Sequence, residues 1–366
     1  MATLEELRAG IDNVDRQLVA LLDERAGLAK AIGATKAQEG RTKFYDASRQ
    51  KKVVENAIAA GSGAFPAEAL RNVFVEIMSA SLALERAPTV GYLGPEGTYS
   101  HEAALGEFGN SVTLQAFDSV YDIFFAVDRD WIDYGVVPLE NSTGGVIHSH
   151  LDMFINFTEL LICSELNLGV HLNLISRNPL DRIKTIYSKA EPFLQCQVWL
   201  KENLPGVQLI EVGATVKGVE MAKDRDYAAA IGSEIAARKY NVPIVAQQIE
   251  DMKDNTTRFV VIGKQKSPPT GNDRTSLMVS IKDRPGALYE LLQPMHDRGI
   301  NLTKIESRPT RIKAWDLVFF IDMLGHASDE KIAESLELLK ETSASVRVMG
   351  SYPRDARMAK QPQPTT

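Results

Sequence analysis

Residues 4–38 carry one unbroken helical period. At about 100° per residue, Leu4, Leu7, Ile11, Val14, Leu18, Leu22 and Ile32 fall on a single apolar stripe. A helix of that length runs about 50 Å, more than a small monomeric domain covers. Two further helical stretches follow, one from about 47 to 60 and one from GSGAFP to about 86, with Pro66 in its first turn. Three helices in fewer than ~90 residues rarely close a core alone, so the pattern points to dimerisation through this segment. The stripe also holds two cations, Arg25 and Lys36. They face nearly the same way, roughly 16 Å apart along the axis. A cation on a buried face needs an anion. One reading pairs them with acids of another helix or leaves the edge of the stripe wet. The other makes a pocket for a polyanionic small molecule inside a helical dimer. Arg8 lies about 100° round from Arg25, so in that reading it comes from the partner's helix.

After residue 88 the pattern changes to short apolar runs alternating with helices, from VGYLG to RFVVIG, which is α/β. A polar stretch, KQKSPPTGNDRT, then separates a third region. Its periods predict strand 275–281, helix 287–298, strand 302–308, strand 315–323, helix 328–342 and strand 346–351, a βαββαβ ferredoxin-like unit. The expected domains are 1–88, 89–264 and 275–352, with a disordered tail at 353–366. The net charge of −7 gives no reason to expect nucleic acid or an anionic membrane as partner. The two cysteines, Cys163 and Cys196, form no CxxC and fit a reducing compartment. MATLEELRAG has neither a basic nor an apolar leader region, and no apolar run approaches the ~18 residues of a membrane span. The expectation is a soluble, cytoplasmic protein.

Two stretches join a strand to a helix through glycine. LGPEGTYSHEAAL offers Thr98 or Ser100 as helix cap, and VVPLENSTGGVIHSHLDMF places Glu140, Asn141, Ser142 and Thr143 between strand and helix. Such turns aim free N–H groups at an anion. The dinucleotide fingerprint, the Walker lysine, HExxH and clustered His/Cys ligands are missing, so no metal or cofactor is expected. DNTTRFVVIG reads as a polar turn running into an apolar strand, with Thr257 as a turn hydroxyl and Arg258 as a surface cation.

The residues Arg8, Arg25, Lys36 and Arg49, with Ser81 and Glu85 in EIMSASLALE, resemble the all-helical chorismate mutase family. The resemblance implies that Arg8, Arg25 and Arg49 hold the carboxylates of chorismate, one arginine crossing a dimer, while Lys36 and Glu85 face the ether oxygen. Ser81 and Gln50 complete the site; many family members have glutamate where Gln50 stands. A [3,3] rearrangement needs a compact conformer and stabilised negative charge on oxygen rather than acid, base or metal.

GPEGTYS, PLENSTGG and TTRFVVI, in that order, resemble prephenate dehydratase over residues 90–263. The resemblance implies two α/β lobes of the type 2 periplasmic-binding architecture with prephenate between them. It implies that Thr257 assists departure of the ring hydroxyl, that Glu140, Asn141, Ser142, Ser188, Gln195 and Arg258 line the site, and that Thr98 and Ser100 form an anion-binding turn. Gly286, Ala287 and Leu288, with Glu306, Ser307 and Arg308, resemble the ACT domain, which implies a phenylalanine site between paired domains. Taken together, the segments resemble the bacterial bifunctional chorismate mutase–prephenate dehydratase family. That implies both reactions without cofactor, phenylalanine feedback, and a homodimer or dimer of dimers. Two other readings stay open. One is a dehydratase whose helical segment chiefly dimerises. The other is an amino-acid-sensing solute-binding protein.

Overall fold

The first helix, α1 (Leu4–Gln38), is continuous over 35 residues. A capping box starts it: Thr3 Oγ1 accepts from Glu6 N–H at 3.2 Å, and Glu6 Oε2 accepts from Thr3 N–H at 2.8 Å. In a computed structural model of the protein, residues 2–40, 44–281, 284–309 and 317–355 are described. They fall into two units, residues 1–89 with 108–113, and the rest of the chain.

In the first unit, α3 (Ala67–Arg86) packs on both α2 (Ala47–Ala60) and the C-terminal part of α1, where Ala29 and Gly33 are buried. Asp46 caps α2 by accepting from Arg49 N–H at 2.9 Å. Pro66 stands at the N-cap of α3, one position before the first turn in which it was expected. Among the described residues nothing covers the apolar stripe of α1: Leu4, Leu7, Ile11, Val14, Leu18 and Leu22 are 43–63% exposed.

The second unit is built on three sheets. The first lobe contains β1 (Thr89–Leu93), β2 (Thr113–Phe117), β3 (Tyr134–Asn141), β4 (Gly145–Val146) and β5 (Leu161–Gly169). The chain then crosses to a second lobe with β6 (Asn173–Ile175), β7 (Thr185–Ser188), β8 (Gln208–Glu211), β9 (Ala228–Gly232) and β10 (Ile244–Ala246), ordered β10-β6-β9-β7-β8. It returns with β11 (Thr256–Gly263), which inserts between β3 and β5, so that the first sheet runs β2-β1-β3-β11-β5. This is the two-lobed α/β architecture that the resemblance implied. Two local expectations are corrected. Thr257 lies within β11 rather than in a preceding turn. Residues 142–144 form a tight hairpin between β3 and β4, not a strand-to-helix junction, and the helix expected after it is two single turns, His148–Leu151 and Met153–Asn156.

The third sheet, β12 (Asp273–Ser280), β13 (Leu302–Pro309), β14 (Leu317–Leu324) and β15 (Ser345–Pro353), has the order β13-β14-β12-β15. With helices Ala287–Asp297 and Glu330–Thr342 it makes the expected βαββαβ unit. Residues 315–316, expected to begin β14, lie outside the described residues. So does most of the expected tail, but its first positions are built in: Pro353 pairs with Asp273, and buried Asp355 accepts from Asn167 N–H at 2.7 Å.

Alternation along β14 explains how this sheet is held. Phe319, Ile321 and Met323 pack with Leu291, Met295 and Leu336 of the sheet's own helices. Val318 and Phe320 face the other way, sharing a core with Phe124, Phe154, Ile162 and Val260 of the first lobe. Asp322 belongs to that second face, and an acid in an apolar strand needs a cation. Arg258 supplies it. Its Nη1 lies 2.7 Å from Asp322 Oδ2, its Nε 2.8 Å from Glu165 Oε2, and its Nη2 donates to the Tyr352 hydroxyl at 2.8 Å. Arg274 Nε stands 3.2 Å from the same Glu165 oxygen. A Cβ on Gly350 would lie 2.2 Å from the carbonyl oxygen of Ile162, so β15 and β5 approach as only glycine allows.

Burial alone would favour the neutral acid at Asp322, but Arg258, Arg274 and Lys304 outweigh it and hold its pKa down to about 2, below the usual carboxylate value. A depressed folded-state pKa contributes stability above the unfolded pKa and loses it as pH falls through the folded one. The stability gap between wild type and Asp322→Asn, from urea unfolding of the second unit, is therefore expected to be full above about pH 5. It narrows by about 2 kcal/mol as pH falls toward 2. A gap independent of pH would show that Asp322 is not ionised in the folded protein.

Candidate active sites

In the helical unit, Arg25 and Lys36 of α1, Arg49 and Gln50 of α2, and Ser81 and Glu85 of α3 line one cavity of about 340 Å³. Phe44, Tyr45 and Met78, which the sequence reading did not single out, line it too, with apolar side chains of α1 and α3 such as Ile32 and Leu82. Arg25 is clamped. It donates to Ser81 Oγ, to Met78 Sδ at 2.8 Å and to the Ile77 carbonyl at 3.5 Å. Burial and then the neighbouring Arg49 lower its pKa, with Glu85 opposing them. Lys36 Nζ stands 2.6 Å from Glu85 Oε2 and donates to the Phe44 carbonyl at 3.2 Å. Arg8, seventeen residues before Arg25, is exposed and roughly 25 Å away along α1, outside the cavity.

One glycine sets this geometry. A Cβ on Gly33 would lie 2.9 Å from Glu85 Cα and 3.1 Å from its Cβ. Glycine thus lets α1 and α3 touch backbone to backbone where Glu85 meets Lys36, one turn further along α1.

In the second unit, register creates the site. Thr257 of β11 stands opposite Asn141 of β3, and Asn141 Nδ2 donates to Thr257 Oγ1 at 2.9 Å and to Asn255 Oδ1 at 2.8 Å. Gln195, at the end of second-lobe helix Ala190–Gln195, donates to Thr143 Oγ1 and accepts from Asn255 Nδ2, both at 3.3 Å. Five side chains from both lobes and the returning strand thereby meet; Asn255 was missed by the sequence reading. The hairpin N–H groups of Thr143 and Gly144 donate to Asn141 Oδ1 at 3.0 and 2.9 Å. They are not free for an anion, contrary to expectation.

The other expected residues lie around this cluster or apart from it. Ser142 ties the hairpin to β11, its N–H donating to the Thr256 carbonyl at 2.8 Å and its Oγ accepting from Thr256 N–H at 2.9 Å. Glu140 is partly exposed, 3.3 Å from Lys304 Nζ and 3.5 Å from Arg258 Nη1. Thr98 caps its helix by accepting from His101 N–H at 3.3 Å and donates to the Leu93 carbonyl at 3.0 Å. Ser100 is buried in that helix's first turn. Ser188 is buried, its hydroxyl donating to the Ile231 carbonyl at 2.8 Å. Arg258 points to the opposite face from Thr257, as alternation on a strand requires. Its three nitrogens hold the buried charge cluster of the third sheet. The buried thiols Cys163 and Cys196 are pushed up to about 12 chiefly by desolvation, which makes them inert.

On the third sheet, Gly286 takes a left-handed conformation, φ 83°, at the start of the helix holding Ala287 and Leu288. Ser307 pairs with Phe319 in the β13–β14 ladder. Its neighbours reach the first lobe: Arg308 makes two 2.8 Å bonds to the carboxylate of Asp152, and Glu306 lies 2.9 Å from His148 Nε2.

Known proteins match along the same divisions. Residues 7–86 match the family model for chorismate mutase type II, residues 90–267 that for prephenate dehydratase, and residues 275–339 that for the ACT domain. The class is thus a multidomain enzyme with isomerase and lyase sites and an appended ACT domain. Two relatives named bifunctional chorismate mutase/prephenate dehydratase narrow it. The one from Aquifex aeolicus is 42% identical over 359 residues, covering 97% of this chain and 99% of its own. The one from Pseudomonas aeruginosa is 39% identical over 357 residues, covering 96% and 98%. The chain belongs to the bifunctional chorismate mutase/prephenate dehydratase family. Among solved structures, prephenate dehydratase of Arthrobacter aurescens in complex with L-Phe matches with a TM-score of 0.69 at 31% identity, over 76% of this chain and 93% of that one. This membership favours the enzyme over the solute-binding alternative.

Alanine in place of a helix glycine usually adds about 1 kcal/mol of helix stability. At Gly33 the same change forces the two helix backbones apart. Gly33→Ala is expected to lower chorismate turnover by on the order of 10-fold or more while prephenate turnover is unchanged, each followed in its own assay. Full mutase activity in the variant would show that the contact between α1 and α3 does not set the site.

Proposed function

We infer that the helical unit rearranges chorismate to prephenate, and that the cleft of the second unit converts prephenate to phenylpyruvate. The convergence of Arg25, Lys36 and Arg49 on one cavity carries the first half of this reading. Arg25 and Arg49 take the carboxylates and fix the compact conformer, and Lys36 donates to the ether oxygen as its bond breaks. Glu85, already bound to Lys36, orients that ammonium. Arg8 joins from a second copy, whose own helix also covers the exposed stripe from Leu4 to Leu22. The working unit is a homodimer, or a dimer of dimers.

For the dehydratase half, the carrying observation is Thr257 held opposite Asn141 at the meeting point of the lobes. Prephenate loses its ring carboxylate as carbon dioxide. The released electron pair aromatises the ring and expels hydroxide, which leaves as water once protonated. Thr257 assists by donating a hydrogen bond to the departing oxygen, with Gln195 as polar lining, while Glu140 faces Arg258 and Lys304 on the other side of β3. No helix among the described residues is long and apolar enough to cross a membrane. The reading places the protein in the cytoplasm.

The two sites are separable. Lys36→Ala should abolish chorismate rearrangement and leave prephenate turnover nearly intact, and Thr257→Ala should do the reverse. Loss of both activities in either folded variant would sink the two-site assignment.

Phenylalanine is the proposed feedback inhibitor, bound at Gly286–Leu288 and Glu306–Arg308. Support comes from Arg308–Asp152 and Glu306–His148, which join β13 to the segment just after the Asn141 hairpin. A ligand that moves β13 therefore acts on the dehydratase site, with a coupling of roughly 1–3 kcal/mol. Because the third sheet shares a core with the first lobe, a substitution tests this better than a truncation. Phenylalanine should inhibit the dehydratase strongly and tyrosine weakly, since a buried hydroxyl needs a partner. Arg308→Met should shift inhibition to higher phenylalanine. Unchanged potency in that variant would place the inhibitor elsewhere.

A further inference from the structure

The hydrogen bonds around Thr257 have a direction, and it follows from which atoms are only able to donate. Two backbone N–H groups, of Thr143 and Gly144, point at one side-chain atom of Asn141, at 3.0 and 2.9 Å. That atom is therefore the amide oxygen. The nitrogen of Asn141 then faces Asn255 and Thr257, and both of its hydrogens are used, at 2.8 and 2.9 Å. Asn255 accepts through its oxygen, so its own nitrogen faces Gln195 Oε1 at 3.3 Å. Gln195 Nε2 then faces Thr143 Oγ1 at 3.3 Å, and the Thr143 hydroxyl donates onward to Asn141 Oδ1 at 2.6 Å. The four side chains close a head-to-tail ring: Thr143 to Asn141 to Asn255 to Gln195 and back to Thr143. Every donor and acceptor in it is assigned by the two backbone N–H groups.

Thr257 hangs from this ring as an acceptor. A hydroxyl that accepts from Asn141 has its own hydrogen left to give. No hydrogen bond among the described residues uses that hydrogen, although Thr257 is only 8% exposed.

We propose that Thr143 and Asn255 are positioning residues of the dehydratase, closing a hydrogen-bond ring that fixes the Asn141 amide so that the Thr257 hydroxyl is turned outward as a donor to the departing oxygen of the substrate. The proposal rests on the dehydratase reading above. The chemistry favours a fixed direction. If Asn141 were flipped, its oxygen would face Thr257, take the hydroxyl hydrogen, and leave only a lone pair toward a developing hydroxide. Cooperative polarisation around a closed ring strengthens each member. The ring also spans the lobes, since Thr143 and Asn141 belong to the first and Gln195 to the second. It closes only when the lobes meet as they do here.

The test uses the full chain, with chorismate mutase activity and circular dichroism confirming folded protein. Thr143→Val keeps the shape and removes the hydroxyl. Its kcat on prephenate should fall by roughly 10-fold or more with KM little changed, because what is lost is the direction of a bond and not a binding contact. Thr143→Ser restores the hydroxyl and should restore kcat. Asn255→Asp still accepts from Asn141 but no longer donates to Gln195, and its kcat should fall like that of Thr143→Val. Unchanged kcat in both Thr143→Val and Asn255→Asp overturns the proposal. So does a Thr143→Ser variant as slow as Thr143→Val, since the hydroxyl would then not be what matters. If Thr143→Val fails to fold, the comparison of Thr143→Ser and Asn255→Asp with wild type decides by the same criterion. A wild-type chain that does not convert prephenate overturns the dehydratase reading itself, an outcome distinct from active wild type with indifferent variants.

Discussion

The insertion of β11 between β3 and β5 is the contact on which the second unit depends. It is the return of the chain from the second lobe, so it ties the two lobes together. Its first residues alternate in what they serve. Thr257 faces the polar cluster shared by both lobes, and Arg258 faces the third sheet, where it neutralises Asp322 and Glu165. A buried cation paired with two buried acids adds little net stability over an apolar substitute. Its effect is on specificity: the third sheet docks in the one position where Asp322 and Tyr352, both bonded by the Ser276 hydroxyl, meet that guanidinium.

The first unit depends on a different contact, the backbone approach of α1 and α3 at Gly33. Its cation cavity is formed where three helices meet, at one end of α1. The rest of α1 carries exposed apolar side chains, Leu4 to Leu22, that no other described residue covers. An apolar surface of that length on a single helix is far from the scattered exposed leucines that any soluble protein shows.

The parts legible in the sequence were those with a period. The bounds of α1, α2 and α3 and the βαββαβ order follow from apolar spacing and, for α3, from the proline at its start, Pro66. Residue identity also pointed to the cations of the cavity in the helical unit, since Arg25 and Lys36 interrupt a stripe that is otherwise apolar. What periodicity does not carry is pairing between distant segments. The role of Arg258 depends on Asp322, sixty-four residues later, and the one available signal was the lone acid in VFFIDML. The hairpin at 142–144 was misread because GG favours many turns, and only pairing of Gly145 with Asn141 selects this one. Asn255 was passed over as a turn residue because asparagine is common in turns. Its role appears only when β11 brings it beside Asn141 and Gln195.

The alternation along β11 also limits how this chain tolerates changes in length. Thr257 and Arg258 are neighbours with unrelated duties on opposite faces of one strand. Loss or gain of a single residue just before them would turn each toward the other's surroundings. A guanidinium would enter the polar cluster, and a short hydroxyl would be left beside two buried carboxylates. Loops elsewhere in the molecule absorb insertions, because their ends are free to adjust. The segment from Asn255 to Arg258 has no such freedom. Homologous chains are thus expected to vary in length before Asn255 and after Gly263, and to keep the same count of residues between them.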